Sequence, residues 1–338
     1  MTYLVTGAAG FIGFHTSLRL LARGEKVVGV DNINDYYDVR IKQARLEKLK
    51  AYPGFTLRQV DIADREAMGE MIKNHQDVKR IIHLAAQAGV RYSLINPYAY
   101  THSNIEGHLV MLELARNLPK LEHMAYASSS SVYGGNVKLP FSVEDRVDNP
   151  ISLYAATKKA NELMSHCYSH LFKIPTTGFR FFTVYGPWGR PDMALFKFVK
   201  GILEQTPIDV YNHGEMFRDF TYVTDLVRGI RLLIDAVPQR VDDPATIPAW
   251  DTLSPVAPFR VVNIGNSDKV KLTDFIDSIE QACGRKAIRR YLDMQKGDVP
   301  ATWADATQLH ELTGYAPSTH FDDGVRAFVA WYRDYFGT

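Results

Sequence analysis

The sequence is poor in cysteine, and its two cysteines are Cys167 and Cys283. Two lone cysteines supply neither a disulfide framework nor a zinc ligand set, so we expect no metal site and a reducing, cytoplasmic setting. No apolar run approaches the roughly 20 residues that a membrane span needs. Met1 leads straight into a predicted strand, so we also expect no signal peptide and no attachment to a membrane.

An excess of one charge is also missing. The 338 residues carry 39 Lys and Arg against 38 Asp and Glu, which gives a formal charge of +1. A chain so close to neutral has no electrostatic reason to bind nucleic acid or an anionic membrane surface. Because 46% of the residues are hydrophobic, the chain can bury a sizeable core, and its length predicts two domains or one large α/β unit with a lobe.

The first half of the chain alternates between two hydrophobic periods. Short apolar runs are typical of buried parallel strands at 3–6, 26–30, 56–60, 80–84 and 123–127. Helical patterns occur at 11–23, 39–51, 65–74 and 97–117, and a further helix and strand are predicted at 152–172 and 176–182. This alternation predicts an α/β fold with a Rossmann-type, doubly wound parallel sheet.

Prolines break this rhythm after residue 182, where the elements become shorter. We therefore assign 1–182 to a nucleotide-binding domain and 183–338 mainly to a smaller C-terminal α/β lobe that binds substrate. Segments near 221–236 and 260–266 are expected to thread back into the first domain, because 260–264 has the pattern of one more sheet strand.

A glycine-rich turn follows the first predicted strand. Gly7 and Gly10 precede Phe11, Ile12 and Gly13, which open the first predicted helix. Glycine allows the tight turn, the approach of a pyrophosphate to the backbone and close packing of helix on strand. The helix N-terminus then offers free N–H groups to phosphates. Such a trio alone is weak evidence, since any tight turn between strand and helix can contain it.

Acidic residues at two strand ends strengthen the nucleotide interpretation. Asp31 ends the second strand, 18 residues beyond Gly13, where a carboxylate accepts hydrogen bonds from the adenosine ribose. An acid there repels a 2′-phosphate, which favours NAD over NADP. The alternative is a solvated turn aspartate. Asp61 and Ile62 end the third strand and are candidates to meet the adenine, although an aspartate at a strand end is about as often a turn residue.

Two further groups of residues have the composition of a catalytic site. Tyr154 and Lys158 lie four residues apart and hence on one face of a predicted helix. A run of four serines, 128–131, ends a predicted sheet strand, where ligands of open α/β sheets bind. Each group has a plain alternative, namely a helix with a solvated lysine and a turn rich in hydroxyls.

Taken together, the glycine turn, the serines and the Tyr/Lys pair support one reaction type. A phenol with a pKa near 10 ionises more readily beside an ammonium group and a cationic nicotinamide. The phenolate could take a proton from a substrate hydroxyl while hydride leaves the same carbon, and a serine could hold that oxygen.

Over essentially its whole length the chain resembles the extended short-chain dehydrogenase/reductase superfamily. The resemblance rests on 7–13, Asp31, 84–86, the set Ser129, Tyr154 and Lys158, and 218–220. Within this superfamily the chain is most similar to the UDP-glucuronate 4-epimerases, in the segments 31–38, 87–93 and 183–194.

The resemblance implies a mechanism and a tightly bound NAD that is regenerated in each cycle. Tyr154 would deprotonate the sugar 4-hydroxyl, Lys158 would lower the pKa of Tyr154 and hold the nicotinamide ribose, and Ser129 matches the catalytic serine. The 4-keto intermediate would turn over and be reduced on its other face. Besides the glycine turn, Asp31, Asp61 and Ile62, the resemblance implies cofactor contacts from Asn32, Leu84, Ala85, Ala86 and Asn104.

The serine run differs from that of two related groups of enzymes. Relatives that dehydrate nucleotide sugars have an Asp-Glu pair where this chain has Ser130 and Ser131, and related decarboxylases have a glutamate there. Serine is neither a strong acid nor a carboxylate base, so C4 oxidation is possible here while elimination lacks its acid/base pair. This difference favours epimerisation.

A 4-keto uronic acid readily loses carbon dioxide, so an epimerase must restrain the sugar carboxylate. Arg190 is a candidate for this clamp because its planar guanidinium matches a carboxylate, with Thr183, Ser130 and Ser131 as further donors. Galactose epimerases have an asparagine at the position of Thr183. The alternative for Arg190 is a surface loop arginine, and Arg91 is a second, weaker candidate.

The UDP half of the substrate is expected in the second lobe. Arg218 resembles the arginine that binds the diphosphate, and Asp298 resembles the carboxylate that binds the uridine ribose. Gln295 lies where relatives often have an arginine, which makes a phosphate contact doubtful. Val210 and Tyr211 are candidates to meet the uracil, although such a pair is otherwise most often core packing.

Several alternatives remain open from the sequence. The chain could epimerise UDP-glucose and UDP-galactose or their N-acetyl forms, decarboxylate UDP-glucuronate, or be a non-catalytic nucleotide-sensing scaffold. The resemblance also implies a homodimer formed through the helices at 97–117 and 152–172. An exposed helix face without a partner is the alternative there.

Overall fold

The computed structural model describes the whole chain, Met1–Thr338. Its strands are, in chain order, β1 (Thr2–Thr6), β2 (Lys26–Val30), β3 (Phe55–Arg58), β4 (Arg80–His83), β5 (His123–Ser129), β6 (Thr176–Phe181), β7 (Thr183–Tyr185), β8 (Ile208–Tyr211), β9 (Phe217–Arg218), β10 (Phe220–Tyr222), β11 (Phe259–Ile264), β12 (Val270–Lys271), β13 (Arg289–Leu292) and β14 (Ala301–Thr302). The α-helices are α1 (Phe11–Leu21), α2 (Val39–Lys50), α3 (Arg65–Lys73), α4 (Pro97–Tyr100), α5 (Gly107–Arg116), α6 (Leu153–Phe172), α7 (Ala194–Glu204), α8 (Val223–Asp235), α9 (Leu272–Cys283), α10 (Thr307–Thr313) and α11 (Phe321–Phe336).

Seven strands form one parallel sheet in the order β11-β6-β5-β4-β1-β2-β3. Strands β1, β4 and β6 are buried along their whole length, which is why their sequences are continuous apolar runs rather than alternating ones. The strand order reverses between β1 and β4, and open α/β sheets bind ligands at such a switch point. This topology confirms the predicted fold class.

Helices cover both faces of the sheet. On one face α1 and α8 pack on the sheet around Phe14, Leu226 and Ile230. On the other face α3 and α5 pack around Met68, Met111 and neighbouring apolar residues. Each face therefore has its own core, as a doubly wound sheet requires.

Later parts of the chain return to the first domain. Strand β11 pairs with β6 at the edge of the sheet, and α8 packs on α1. Leu309 of α10 lies in the same core, a return that the sequence pattern did not predict. These contacts support the predicted division at residue 182 with returning segments, which stays a prediction.

The remaining residues form a smaller lobe built from short strands and three helices. Strands β7 and β10 pair in parallel, β9 lies between β12 and β14, and β8 pairs with β13. Helices α7, α9 and α11 enclose a second core around Phe198, Phe275 and Phe328. These short elements connect to loops that face the main sheet and form one wall of the cleft described below.

The predicted helix at 97–117 has a distinct break. A π-helical turn, Thr101–Glu106, separates α4 from α5 and contains the buried side chain of Asn104. Such turns insert an extra residue into a helix and are frequent at functional sites. No helix of the chain combines the length and the apolar character that crossing a bilayer demands. No group of three or more His, Cys, Asp or Glu side chains is placed to hold a metal ion.

Candidate active site

A single deep cleft of about 1120 Å³ lies at the carboxyl ends of the sheet strands, between the sheet and the smaller lobe. It exceeds the usual volume of a site for one small ligand, so there is room for two molecules side by side. The predicted site residues that line it are Gly7, Gly10, Phe11, Ile12, Gly13, Asp31, Asn32, Asp61, Ile62, Leu84, Ala85, Ala86, Arg91, Ser129, Ser130, Ser131, Tyr154, Lys158, Thr183, Arg190, Tyr211, Arg218 and Asp298.

The glycine turn has the geometry that only glycine allows. Gly7 adopts a φ of +69°, and its amide donates to the Val30 carbonyl at 2.7 Å. A Cβ on Gly13 would lie 1.9 Å from the Gly7 carbonyl oxygen, and one on Gly7 would lie 2.9 Å from the Ala85 nitrogen. The turn is thus packed against β4 and opens onto the N-terminus of α1, a cradle that fits a pyrophosphate.

Asp31 is a buried member of this turn rather than a solvated residue. One carboxylate oxygen accepts the Ala9 amide at 3.0 Å and the other accepts the Ile33 amide at 2.8 Å. Each oxygen keeps a further lone pair, so the carboxylate can still accept ribose hydroxyls. Asn32 donates to Asp61 at 2.8 Å, which joins the ends of the second and third strands.

The serine run ends β5 and continues as a 3₁₀ turn, Ser130–Tyr133. The Ser129 hydroxyl accepts the Ser131 amide at 3.1 Å and caps that turn. Burial raises the pKa of the Tyr154 phenol, while a hydrogen bond from Ser129 and the charge of Arg190 act in the opposite direction. Ser129, Tyr154 and Arg190 are therefore close enough to influence one another.

Lys158 is buried on the same helix as Tyr154. Its ammonium donates to the Ala127 carbonyl at 2.7 Å, and burial lowers its pKa from 10.5 to about 8. In this arrangement the groups that lower the Tyr154 pKa are Ser129 and Arg190. The predicted effect of Lys158 on the phenol stays a prediction.

Arg190 is not a solvated surface arginine. Its Nε and Nη2 form a bidentate pair with the Asp192 carboxylate, with a distance of 3.0 Å from Nε to Oδ1. The two side chains are 20% and 26% exposed and both line the cleft. The Tyr36 hydroxyl, which also lines the cleft, donates to Asp192 at 3.3 Å. An arginine–carboxylate ion pair is thus fixed at the wall of the cleft.

Arg91 lies with the residues predicted for the nucleotide. Its guanidinium pairs with Asp298 at 2.9 Å and lies 4.3 Å from the centre of the Tyr211 ring. Arg218 donates to the Phe217 and Val299 carbonyls, both at 2.8 Å, and the Asp298 charge partly offsets the lowering of its pKa by burial. Arg91 therefore contacts the candidate ribose and uracil residues, which makes it a poorer candidate for the sugar carboxylate.

Three predicted site residues do not line the cleft. Asn104 is buried in the π-helical turn, where it bonds the backbone of Gln87 and the Thr157 hydroxyl. The Val210 side chain is fully buried in the core of the smaller lobe, so it cannot stack on a base. Gln295 lines a shallow pocket beside the cleft together with Arg91.

Other cleft residues were not predicted as site residues. Tyr36 and Asp192 lie in segments 31–38 and 183–194, which carry the resemblance, but neither residue was considered for a role. Lys197 and Lys200 line the cleft from α7. Their spacing of three residues places them on one helix face, a signal that charge patterning could have provided.

A parallel sheet with its nucleotide turn at the switch point, joined to a serine, tyrosine and lysine at one cleft, is the architecture of an extended short-chain dehydrogenase/reductase. The chain belongs, more narrowly, to the GDP-mannose 4,6-dehydratase family, whose model matches residues 4–328.

Individual relatives are similar over nearly the whole chain. A protein of Rhizobium meliloti described as a probable UDP-glucuronate 4-epimerase is 52% identical over 333 residues, which are 98% of this chain and 97% of the relative. UDP-glucuronate 4-epimerase 4 of Arabidopsis thaliana is 44% identical over 99% of this chain and 76% of its own length. The crystal structure of the Bacillus cereus UDP-glucuronic acid 4-epimerase with UDP-glucuronic acid and NAD is 31% identical, covers 99% of this chain and 100% of the other, and superimposes with a TM-score of 0.87.

Proposed function

We propose that this chain is an NAD-dependent UDP-sugar 4-epimerase that interconverts UDP-glucuronate and UDP-galacturonate through a 4-keto intermediate. The observation that carries the substrate assignment is Arg190, a guanidinium fixed at the cleft wall near Tyr154 and Ser129. A neutral sugar offers the free edge of this guanidinium no carboxylate acceptor, whereas a C6 carboxylate matches its geometry. The named activities of the Rhizobium, Arabidopsis and Bacillus relatives support the same assignment.

The cofactor site rests on the fit of the glycine turn and Asp31. Backbone N–H groups at the start of α1 would hold the pyrophosphate, and Asp31 would accept the adenosine ribose hydroxyls. When bound, NAD supplies the hydride acceptor at sugar C4 and the donor for its return on the other face, so there is no net redox change. The crystallised Bacillus relative binds NAD, which supports this choice.

Tyr154 is proposed as the general base and acid. Its phenolate would take the proton of the sugar 4-hydroxyl and return it when the 4-keto oxygen is reduced. The Ser129 hydroxyl would hold that oxygen, and Lys158, with a pKa of about 8, would keep a positive charge beside the site at neutral pH. Ser130 and Ser131 provide hydroxyl donors for the sugar and no carboxyl group for elimination.

The proposal is tested by proton NMR of UDP-glucuronate with purified protein and no added cofactor. We expect new galacturonate anomeric and H4 signals that approach a fixed ratio. Tyr154→Phe should reduce turnover by roughly 10²–10⁴-fold and leave UDP binding largely intact, because it removes the proton-transfer group and keeps the ring. Tyr52→Phe removes a phenol outside the cleft and should not change the rate. A fully active Tyr154→Phe enzyme would exclude the assigned role.

Other products would change the substrate assignment. A pentose product with carbon dioxide would identify a decarboxylase. Conversion of UDP-glucose or UDP-N-acetylglucosamine alone would identify an epimerase of neutral sugars. If no substrate were converted and the purified protein contained no NAD, a non-catalytic nucleotide-sensing scaffold would be favoured.

A homodimer through α4, α5 and α6 is part of the proposal. These helices present exposed apolar side chains, among them Leu109, Leu163 and Leu171, as expected of helices that pack against a second copy. Sedimentation of the purified chain as a monomer at micromolar concentration would contradict it.

A further inference from the structure

Asp192, the ion-pair partner of Arg190, lies in an unusual position for a carboxylate. Asp192 faces the same cleft as Arg190, where an anionic sugar carboxylate would otherwise repel it. The Asp192 oxygens bind the side edge of the guanidinium, formed by Nε and Nη2. Arg190 neutralises this carboxylate and holds its pKa below the usual range, although burial alone would raise it. Asp192 is thus an anion committed to one edge of Arg190.

The opposite edge of the guanidinium remains available. A guanidinium has five N–H donors, and Asp192 uses one on Nε and one on Nη2. No protein group accepts a hydrogen bond from Nη1, and that atom is not shut off from solvent. The terminal edge, with Nη1 and the second Nη2 hydrogen, can therefore accept a second carboxylate in the bidentate manner.

A second residue of the cleft, Tyr36, holds Asp192 in place. Its hydroxyl donates to Asp192 at 3.3 Å, and its ring packs on Tyr92 with 4.8 Å between the ring centres. Gly89, at a φ of +108°, makes room for this hydroxyl, because a Cβ there would lie 3.3 Å from it. Tyr36 follows Asp31, the candidate ribose ligand, by five residues. One short segment of the chain therefore carries both the candidate ribose ligand and the residue that binds Asp192.

We infer that Asp192, held by Tyr36, is a positioning residue that turns the terminal edge of Arg190 toward the sugar carboxylate and so keeps the 4-keto intermediate from losing carbon dioxide. The inference rests on the proposed function. Asp192 acts through Arg190 and does not itself touch the reacting atoms. A guanidinium pinned along one edge cannot swing about its side-chain bonds, and the carboxylate bound to its other edge is equally restrained.

The reaction to be suppressed has a defined electron flow. The C5–C6 bond of the 4-keto uronate breaks, carbon dioxide leaves, and the electron pair forms an enolate across C4 and C5. C5 then takes up one proton, which gives a 4-keto pentose. The electron pair of the breaking bond can enter the carbonyl π system only when the C5–C6 bond is perpendicular to the carbonyl plane. The orientation of the carboxylate therefore decides whether carbon dioxide is lost.

The test measures how turnovers divide between the two products. Wild type, Asp192→Asn and Tyr36→Phe are incubated with UDP-glucuronate labelled with ¹³C at C6, and labelled carbon dioxide and galacturonate are quantified by NMR. We expect Asp192→Asn to raise carbon dioxide per galacturonate by about tenfold or more, since hydrogen bonds between charged groups contribute about 1.5–3 kcal/mol. Tyr36→Phe should give a smaller increase in the same direction, because it removes one neutral donor and keeps the ring.

The chain contains a matched control pair. Arg40 binds Asp38 through Nε and Nη2 with the same spacing of two residues, but this pair is exposed and outside the cleft. Asp38 also caps α2, a role that asparagine fulfils equally well. Asp38→Asn should therefore leave the product ratio at the wild-type value.

The outcomes separate this inference from the proposed function. If wild type forms no galacturonate, the proposed function fails and the inference fails with it. If wild type epimerises and both variants keep its product ratio, the inference alone is wrong, even when total activity falls, because a merely structural defect lowers both products together. If Asp192→Asn does not fold, as judged by circular dichroism, the ratio of Tyr36→Phe decides.

Discussion

Two arginine–carboxylate pairs near the serine run have similar geometry and very different surroundings. Arg180 of β6 binds Glu162 of α6 through Nε and Nη2, both at 2.9 Å, and each side chain is 4% exposed. Its remaining Nη1 donates to the Tyr133 hydroxyl at 3.1 Å, and Glu162 also accepts the Ser128 hydroxyl. In the cleft, Arg190 binds Asp192 in the same way but keeps Nη1 free of protein partners.

The two pairs differ in whether the guanidinium keeps a hydrogen-bond donor without a protein partner. A pair with no such donor is structural, whereas a pair that keeps one can bind a ligand. The buried pair is closed: it fastens α6 to β5 and β6 behind the serine run, and no ligand can reach it. The cleft pair is open on one edge. An arginine alone in the sequence does not reveal which kind it is, because the distinction lies in burial and in partners distant along the chain. The experiments below separate the two kinds.

The largest effect is expected from breaking the closed pair. Glu162→Gln leaves the Arg180 charge buried without a counter-ion, which costs about 3–5 kcal/mol in the free energy of unfolding. Urea unfolding of the variant against wild type measures this loss. Glu47→Gln, in an exposed pair with Lys50, is the control and should change stability by less than about 1 kcal/mol. A loss at Glu162 no larger than at Glu47 would contradict a structural role for the buried pair.

Breaking the open pair should alter specificity more than stability. Arg190→Met removes a charged hydrogen-bond donor for the uronate, worth about 1.5–3 kcal/mol, so kcat/KM for UDP-glucuronate should fall about ten- to a hundredfold. Activity on UDP-glucose, which has no carboxylate, should fall less, only through the loss of the Arg190 charge that lowers the Tyr154 pKa. Steady-state kinetics on both substrates is the measurement, and equal losses on both would remove Arg190 from carboxylate recognition.

A third, smaller effect concerns how the free energy of unfolding depends on pH through a buried histidine. His123 is buried between the Ile234 carbonyl and the Thr177 hydroxyl, both at 2.9 Å, and burial lowers its pKa to about 3. Below pH 6.5 the unfolded chain takes up a proton at this residue that the folded chain cannot, so folding loses stability as pH falls from 6.5 toward 3.

We expect His123→Gln to abolish this contribution. Between pH 6.5 and 5 the free energy of unfolding of wild type should fall relative to the variant by about 1.6 kcal/mol, with a slope that rises from about 0.7 to about 1.4 kcal/mol per pH unit as the unfolded histidine becomes protonated. His83 and His108, which are also buried, are present in both proteins and cancel in the difference. Parallel pH profiles of wild type and variant would show that His123 is not the group responsible.

The sequence patterns predict the sheet well because most of its strands are local apolar runs; the edge strand β3 differs, since its alternate residues Thr56 and Arg58 are exposed. Predicted strand 56–60 lies at Phe55–Arg58, and the predicted return of 260–264 is β11. The break at Thr101–Glu106 was not predicted, because its six residues include neither the proline nor the glycine that would signal an interrupted helix. The cofactor contact that the resemblance implies for Asn104 stays a prediction, and in the structure its side chain binds Thr157 and the backbone of Gln87.

The site is predictable where chemistry is encoded by neighbours in sequence and less so where it depends on distant contacts. The glycine turn, Asp31, Ser129 and Tyr154 follow from local patterns and line the cleft. The pairing of Tyr36 with Asp192 spans 156 positions, so no local pattern signals it. Alternation in β8 predicts that one of Val210 and Tyr211 is buried, but it does not predict that Tyr211 is the one that lines the cleft.

The position of β11 at the edge of the main sheet limits how this enzyme can be recombined. The strand is encoded after most of the smaller lobe, yet it completes the main sheet. A chimaera made with one crossover near residue 182 would bring in a foreign edge strand together with the foreign lobe. Exchange of the smaller lobe alone requires at least two further crossovers that restore α8 and β11. The lobe and the main sheet are therefore inherited together more readily than a two-domain description implies.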